Sequence, residues 1–418
     1  MGIAPMDARD FEISPETFEA RQIWARRNGK VLWLWPDIAP RAWRGALEAL
    51  EAVIRQVLSG APARLEALHD IPALSLAAYT SGVGPLVGYW IEKGLVLADT
   101  DAAALLALHL DHNRRRMAML AKRARDVVGL LAASGVDVTV LKGMHLAFAY
   151  FPEPGTRPVS DIDLLTGGGA DQEVAEEVLA SNGFELISRN YKETTWALAG
   201  ISRAVRSLLL AHAEDPWSID LHHSIDQKPA SGASKTSLDQ LVGPFRASDW
   251  PLDRNATTLA QPALLLHLAS HIGAAVRVNL SLVRLVDLVL VIRQDSRTGN
   301  LDWDAFIELG TRSQALGIAF PALALVEKLA PGTVPASVIE ICAQASPPRV
   351  RQWVRDRTPA GAQCLDSSSL RVHYMWASGA LEHVRQIGAD LVPDLPWRQI
   401  PARYGEFIRR ALRRGFTR

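Results

Sequence analysis

Three aspartates sit in runs that otherwise read as strands entering a core. Asp161 and Asp163 alternate with Ile162, Leu164 and Leu165 in "VSDIDLLT", and Asp220 lies between Ile219 and Leu221 in "WSIDLHH". Successive strand residues point to opposite faces, so Asp161 and Asp163 share one face while Ile162 and Leu164 share the other. Carboxylates side by side repel each other and resist burial. A divalent cation between them removes that cost, and oxygen ligands of this kind suit Mg²⁺ or Mn²⁺. With Asp220 on an adjacent strand, the three could hold two ions about 3.5–4 Å apart, an arrangement that clamps a phosphate ester for in-line displacement. An Asp-x-Asp pair is also what a solvated strand end looks like. The surrounding pattern favours chemistry: Lys142–Gly143 directly after a β-branched run, then a helix, then the aspartate pair, then the third aspartate.

The elements that must position these residues can be read from periodicity. Residues 101–134 give the clearest helix, with Leu106, Leu110, Met117, Leu120, Ala124, Val127 and Leu131 at steps of three, four or seven, and Gly135 as its stop. "VDVTVL" (136–141) is short and β-branched, hence a strand. "KGMHLAFAYF" returns to helical spacing, "PEPGTRP" is a loop, and "VSDIDLLT" (159–166) is the second strand. "GGG" (167–169) is a turn into a helix ending at Asn182–Gly183, since it lacks the spacing of a phosphate-binding glycine motif. "TTWALAG" and "WSIDLHH" (217–223) are further strands. The result is an α+β core over 101–225, a small mixed β-sheet with helices. A mainly helical region (1–100) precedes it, with Leu47, Leu50, Val53, Ile54 and Leu58 on one helix side. A linker, loop and strand region (226–258), including the polar hinge or loop "QKPASGASKTS", and a helical C-terminal domain (259–418) follow it.

The segment "LKGMHLAFAYFPEPGTRPVSDIDLL", followed by "IDLHH" and later by "LLLHLASHIG" and "RLVDL", resembles the nucleotidyltransferase superfamily built like DNA polymerase β. More narrowly, it is similar to an uncharacterised bacterial nucleotidyltransferase family marked by an L-K-G…Y-P…R…D-I-D-L-L pattern. The likeness runs from about 105 to about 295 and is most specific over 138–166. It implies a metal-dependent enzyme that moves a nucleoside monophosphate from an NTP to an acceptor hydroxyl or phosphate and releases pyrophosphate. Asp161, Asp163 and Asp220 would hold two Mg²⁺ or Mn²⁺ ions, and Asp220 would help to deprotonate the acceptor. Gly143 would let the backbone approach the triphosphate at a helix N-terminus. Lys142 and Arg157 would balance phosphate charge. The superfamily usually carries Gly-Ser or Gly-Gly at this turn; here Gly143 is followed by Met144, so no serine binds phosphate. Two other readings accompany this one: a toxin-like or regulatory enzyme that nucleotidylates a protein or tRNA, and a non-catalytic nucleotide-binding module.

Composition narrows the partners. The 418 residues carry 45 basic and 45 acidic side chains, a formal net charge of zero, which argues against a long nucleic acid. A small molecule or a modified peptide is the favoured acceptor, with a tRNA end left open. The two cysteines, Cys342 and Cys364, have no metal-type spacing, and a reducing compartment fits them. The N-terminus has no apolar signal region, and the most apolar stretch (276–292) is broken by Arg277, Asn279, Arg284 and Asp287. No membrane span and a cytoplasmic location are therefore expected. Several further groups are expected to play structural parts. His267 and His271, four apart on a helix, pack or join a polar network. Asp287 pairs with Arg284. His222 or His223 shares the face of Asp220 in support of it. The tail arginines Arg409, Arg410, Arg413 and Arg414 form a solvated helix face.

Overall fold

The computed structural model describes residues 11–28, 31–66, 70–230, 233–241, 243, 246–276, 280–363, 374–377 and 379–391. Helices α1 (Pro15–Asn28), α2 (Pro40–Leu58), α3 (Ile71–Ser81) and α4 (Gly84–Glu92) lead into the long α5 (Thr100–Ala133). Two short parallel strands, β1 (Ala63–Arg64) and β2 (Val96–Leu97), tie this region together. The core follows as β3 (Val138–Val140), α6 (Lys142–Ala149), β4 (Asp161–Leu165), α7 (Ala170–Ser181), β5 (Phe184–Arg189), β6 (Glu193–Leu198), β7 (Ser218–His222), β8 (Arg246–Trp250) and β9 (Asp253–Leu259). The chain then becomes helical: α8 (Ala263–Ala275), α9 (Leu282–Thr298), α10 (Trp303–Arg312), α11 (Leu316–Leu329), α12 (Ala336–Gln344), α13 (Pro348–Arg355), α14 (Pro359–Ala362) and α15 (Ala380–Leu391). Among the described residues no single helix is long and apolar enough to cross a membrane.

Seven of these strands form one mixed sheet in the order β5-β6-β7-β4-β3-β9-β8. The β4–β7 and β3–β9 pairs are parallel, and the β3–β4 and β6–β7 pairs are antiparallel. The two faces differ in chemistry. Val138, Val140, Ile162, Leu164, Trp196, Ile219 and Leu221 are buried on one face with Met117, Leu120, Val127 and Leu131 of α5 and Ala175 and Leu179 of α7. Strand alternation leaves Thr139, Asp161, Asp163, Asp220, His222, Glu193 and Thr195 on the opposite face. This is how a strand can carry carboxylates and still enter a core: one face supplies the burial and the other the chemistry.

The strong signals in the sequence correspond to real elements. The Asp99 carboxylate accepts from Ala102 N (2.8 Å) and caps α5, and the helix ends just before Gly135. The described residues of the polar segment, 226–230 and 233–241, are irregular and are pinned by side-chain bonds. Asp226 Oδ1 accepts from Leu238 N (2.6 Å) and from the Thr236 hydroxyl (3.1 Å), and Asp239 Oδ1 accepts from Ile225 N (2.7 Å). β5 has no sequence signal because it is an edge strand with exposed side chains and no apolar face to reveal it. Cys342 is buried and its thiol is pushed up to about 12 by burial. The tail arginines and Cys364 lie outside the described residues.

Candidate active site

The parallel pairing of β4 with β7 sets the site. Its register places Asp161 beside Ser218, Asp163 beside Asp220, and Leu165 beside His222. On the other side of β7, Thr195 lies beside Asp220 and Glu193 beside His222. Asp163, Asp220 and His222 offer ligand atoms that all lie within 4.8 Å of one another, and Asp161 stands outside that tightest group. Asp161 nevertheless feels both of the other aspartates. Its pKa is raised to about 6, by burial first and then by the charges of Asp163 and Asp220. Asp220 is also raised, by burial and then by Asp163.

Asp163 goes the other way. Burial opposes its charge, but Lys142 and His222 outweigh that and hold the carboxyl well below its usual range. Lys142 Nζ donates to Asp163 Oδ1 at 2.6 Å, and His222 Nε2 lies 2.9 Å from the same oxygen. His222 Nδ1 faces Glu193 Oε2 at 3.0 Å, so the imidazole is bracketed by two carboxylates. Glu193 is lowered to about 2; burial resists this, and the His222 contact dominates the opposing effects. Of the two histidines after Asp220, His222 is therefore the one on its face. Lys192 and Glu193 are invisible to sequence reasoning because a loop-end "KE" pair has no signal of its own. Only the antiparallel β6–β7 register brings Glu193 to His222.

Lys142 is the first residue of α6 and has φ +43°, a left-handed conformation uncommon for a residue with a Cβ. Strained backbone persists where its surroundings over-determine it, and it clusters at functional sites. Here the ammonium is clamped by Asp163 while Leu141 N donates to Asp163 O at 3.0 Å. The N-terminus of α6 has no side-chain cap. Its free N–H groups, beside Lys142, form a setting that favours anions. The strain thus falls on Lys142, whereas Gly143 is glycine for want of room: a Cβ there would meet Arg157 Nη1 at 2.7 Å.

Arg157 is placed differently from the expectation of a phosphate partner. It forms a buried fork with Asp287 on α9, Nε to Oδ1 at 2.8 Å and Nη2 to Oδ2 at 2.7 Å. Asp287 therefore holds Arg157, which the loop before β4 delivers to α9, and its charge also acts on Arg284. Arg284, one turn earlier on α9, is half-buried and lies within the field of Asp161 and Asp163.

The donor set fits a divalent cation. Two carboxylates and an imidazole converge, and they are next to a cation already, the Lys142 ammonium. Both bonds that Asp163 receives from Lys142 and His222 go to Oδ1, so Oδ2 takes no part in either.

A family model described as an uncharacterised nucleotidyltransferase matches residues 69–331, well over half of the chain. No curated protein and no solved structure matches it.

Proposed function

The chain belongs to this family of uncharacterised nucleotidyltransferases, and from that premise we propose that it transfers a nucleoside monophosphate from an NTP to an acceptor hydroxyl or phosphate. The observation that carries the reading is the β4–β7 register, which sets Asp163 directly beside Asp220 on the polar face of the sheet. Asp163, Asp220 and Asp161 would hold two Mg²⁺ or Mn²⁺ ions, with His222 beside them on Asp163. Such ions, when bound, neutralise phosphate oxygens and polarise the phosphorus under attack. The uncapped start of α6 offers backbone N–H groups to the triphosphate, with Gly143 in that turn and Lys142 beside it. Arg157 acts through Asp287, holding the loop that precedes β4.

The acceptor oxygen attacks the α-phosphorus, the bond to the β-phosphate oxygen breaks, and pyrophosphate leaves. The acceptor proton passes to Asp220, which stands beside Asp163 on the neighbouring strand. His222, between Asp163 and Glu193, fixes the orientation of Asp163. Catalysis on this scheme is mainly positioning and charge neutralisation. A small molecule or modified peptide is the favoured acceptor. The test is pyrophosphate release from each of the four NTPs against acceptor pools, with and without Mg²⁺. Asp161→Ala and Asp163→Ala are each expected to lose at least roughly 10²-fold in rate. Equal turnover by either variant and the parent rejects the assignment.

A further inference from the structure

A cavity of about 210 Å³ lies at the end of the sheet where the parallel strands β4 and β7 begin. Its wall includes residues 158–160, which run directly into Asp161, and Asp215 and Pro216, which lead into β7. Helices α3 and α5 contribute Tyr79, His109 and Arg116, and Val205 and Ala211 make part of the wall apolar. Pockets that take drug-sized ligands measure about 300–1,000 Å³. This one is therefore too small for a nucleotide and suits a compound of a few carbon atoms.

Arg116 is 3% exposed and fixed in place. Its Nε donates to Val159 O at 3.0 Å, Nη1 to Asp215 O at 2.7 Å and Nη2 to Pro216 O at 3.1 Å. A guanidinium has five N–H groups, so two remain unused. Among the described residues no carboxylate forms an ion pair with it. Asp215 acts on it only through space, because its carboxylate oxygens accept from Arg206 N at 2.7 Å and His212 N at 2.9 Å. The hydroxyls of Tyr79 and Ser160 line the same cavity and make no hydrogen bond among the described residues. His109 is kept neutral, its pKa lowered to about 3 by burial, so Arg116 is the cation of this wall. A buried guanidinium without a carboxylate, beside two idle hydroxyl donors, calls for an oxyanion.

We propose that this cavity holds the acceptor of the transfer reaction, a small molecule whose carboxylate or phosphate group binds Arg116, Tyr79 and Ser160. The assignment rests on the reading of the site as a nucleotidyltransferase and adds the acceptor's chemical class to it. The oxyanion anchors in the cavity, and the acceptor hydroxyl points past Ser160 toward Asp161, the first residue of β4. Asp163 lies two positions further along the strand, about 7 Å, which a molecule a few bonds long can span. Three backbone carbonyls already hold Arg116, so little of its freedom is lost on binding.

The experiment divides a pool of small metabolites by ion exchange into anionic, neutral and cationic fractions. Pyrophosphate release by the full chain is then measured with each fraction, NTP and Mg²⁺. Only the anionic fraction is expected to support turnover. Treating that fraction with a phosphatase, removed before the assay, separates the two sources: turnover is lost for a phosphate ester and kept for a carboxylate. Tyr79→Phe removes a hydroxyl that no protein group uses and is expected to raise the KM for this fraction about tenfold. Ala211→Phe puts a ring into the cavity and is expected to raise it further; Tyr79→Phe serves alone if that variant does not fold. Turnover with the neutral or cationic fraction, or an unchanged KM in the variants, overturns the acceptor pocket and leaves the transfer reaction standing. Should no fraction be turned over, NMR of the Arg116 Nε–H decides. Acetate or inorganic phosphate must shift it in the parent, and silence there overturns the cavity as an anion site. A shift without turnover keeps the anion site and rejects the transfer reaction.

Discussion

Asp161 is held with its pKa raised to about 6, by burial and then by its two acidic neighbours. In the unfolded chain the same carboxyl titrates near its ordinary 3.8. Between about pH 4 and pH 6 the unfolded state therefore releases its proton first, and stability falls as pH rises through that window. Asp161→Asn removes the penalty. In EDTA at pH 7.5 the variant is expected to be more stable than the parent by about 1–3 kcal/mol in urea unfolding, with the difference vanishing below about pH 4. A variant equally or less stable at pH 7.5 contradicts the assignment of buried, mutually repelling acids. Asp163 contributes with the opposite sign. Its lowered pKa supplies stability above the ordinary carboxylate range, which is lost on acidification. The two acids of one strand are thus pushed apart by Lys142 and His222, which bond to Asp163 directly.

The elements hold this chemistry through a few long-range ties. The loop before β4 is fastened to α9 by the Arg157–Asp287 fork, whose side chains are 9% and 3% exposed. Removing one partner strands the other charge in the interior. Asp287→Ala is expected to cost about 3–5 kcal/mol in urea unfolding, while the double variant Arg157→Met, Asp287→Leu recovers most of that loss. Equal losses in the single and double variants contradict an uncompensated buried charge as the cause. The elements themselves are legible from local rules: a β-branched run for β3, apolar alternation for β4 and β7, an apolar helical period along the 34 residues of α5. The partner of Asp287 is not. A helix offers Arg284 at i−3, and nothing local says that a loop 130 residues earlier arrives first.

At the scale of the whole molecule, the N-terminal and C-terminal helices share one hydrophobic cluster. Leu50, Ile54, Leu76 and Leu86 from the first hundred residues are buried in it with Leu285, Val289 and Leu325 from the last third. Ala360 N donates to Glu51 Oε2 at 2.7 Å and Arg293 Nη1 to Leu58 O at 2.6 Å across that seam. Each such side chain contributes about 1.5–3 kcal/mol by burial, and the net stability of a folded chain is about 5–15 kcal/mol. Deleting residues 1–98 is therefore expected to abolish cooperative unfolding and to produce binding of a hydrophobic dye. A sharp transition in the truncated chain shows instead that the remainder has a core of its own.

Short-range pattern was enough to mark most of the elements, β5 excepted, and to put the paired carboxylates on one face of a strand. Alternation forces Asp161 and Asp163 to one face of a strand, and the segment around Lys142–Gly143 carries the family likeness. Both are local properties, readable within a few residues. Long-range pairing settled the rest: that Asp163 meets Asp220, that Glu193 reaches His222, and that Arg157 turns to Asp287. Those outcomes depend on strand order and register, which arise between segments tens to more than a hundred residues apart, and no nearby residue encodes which distant strand will lie alongside.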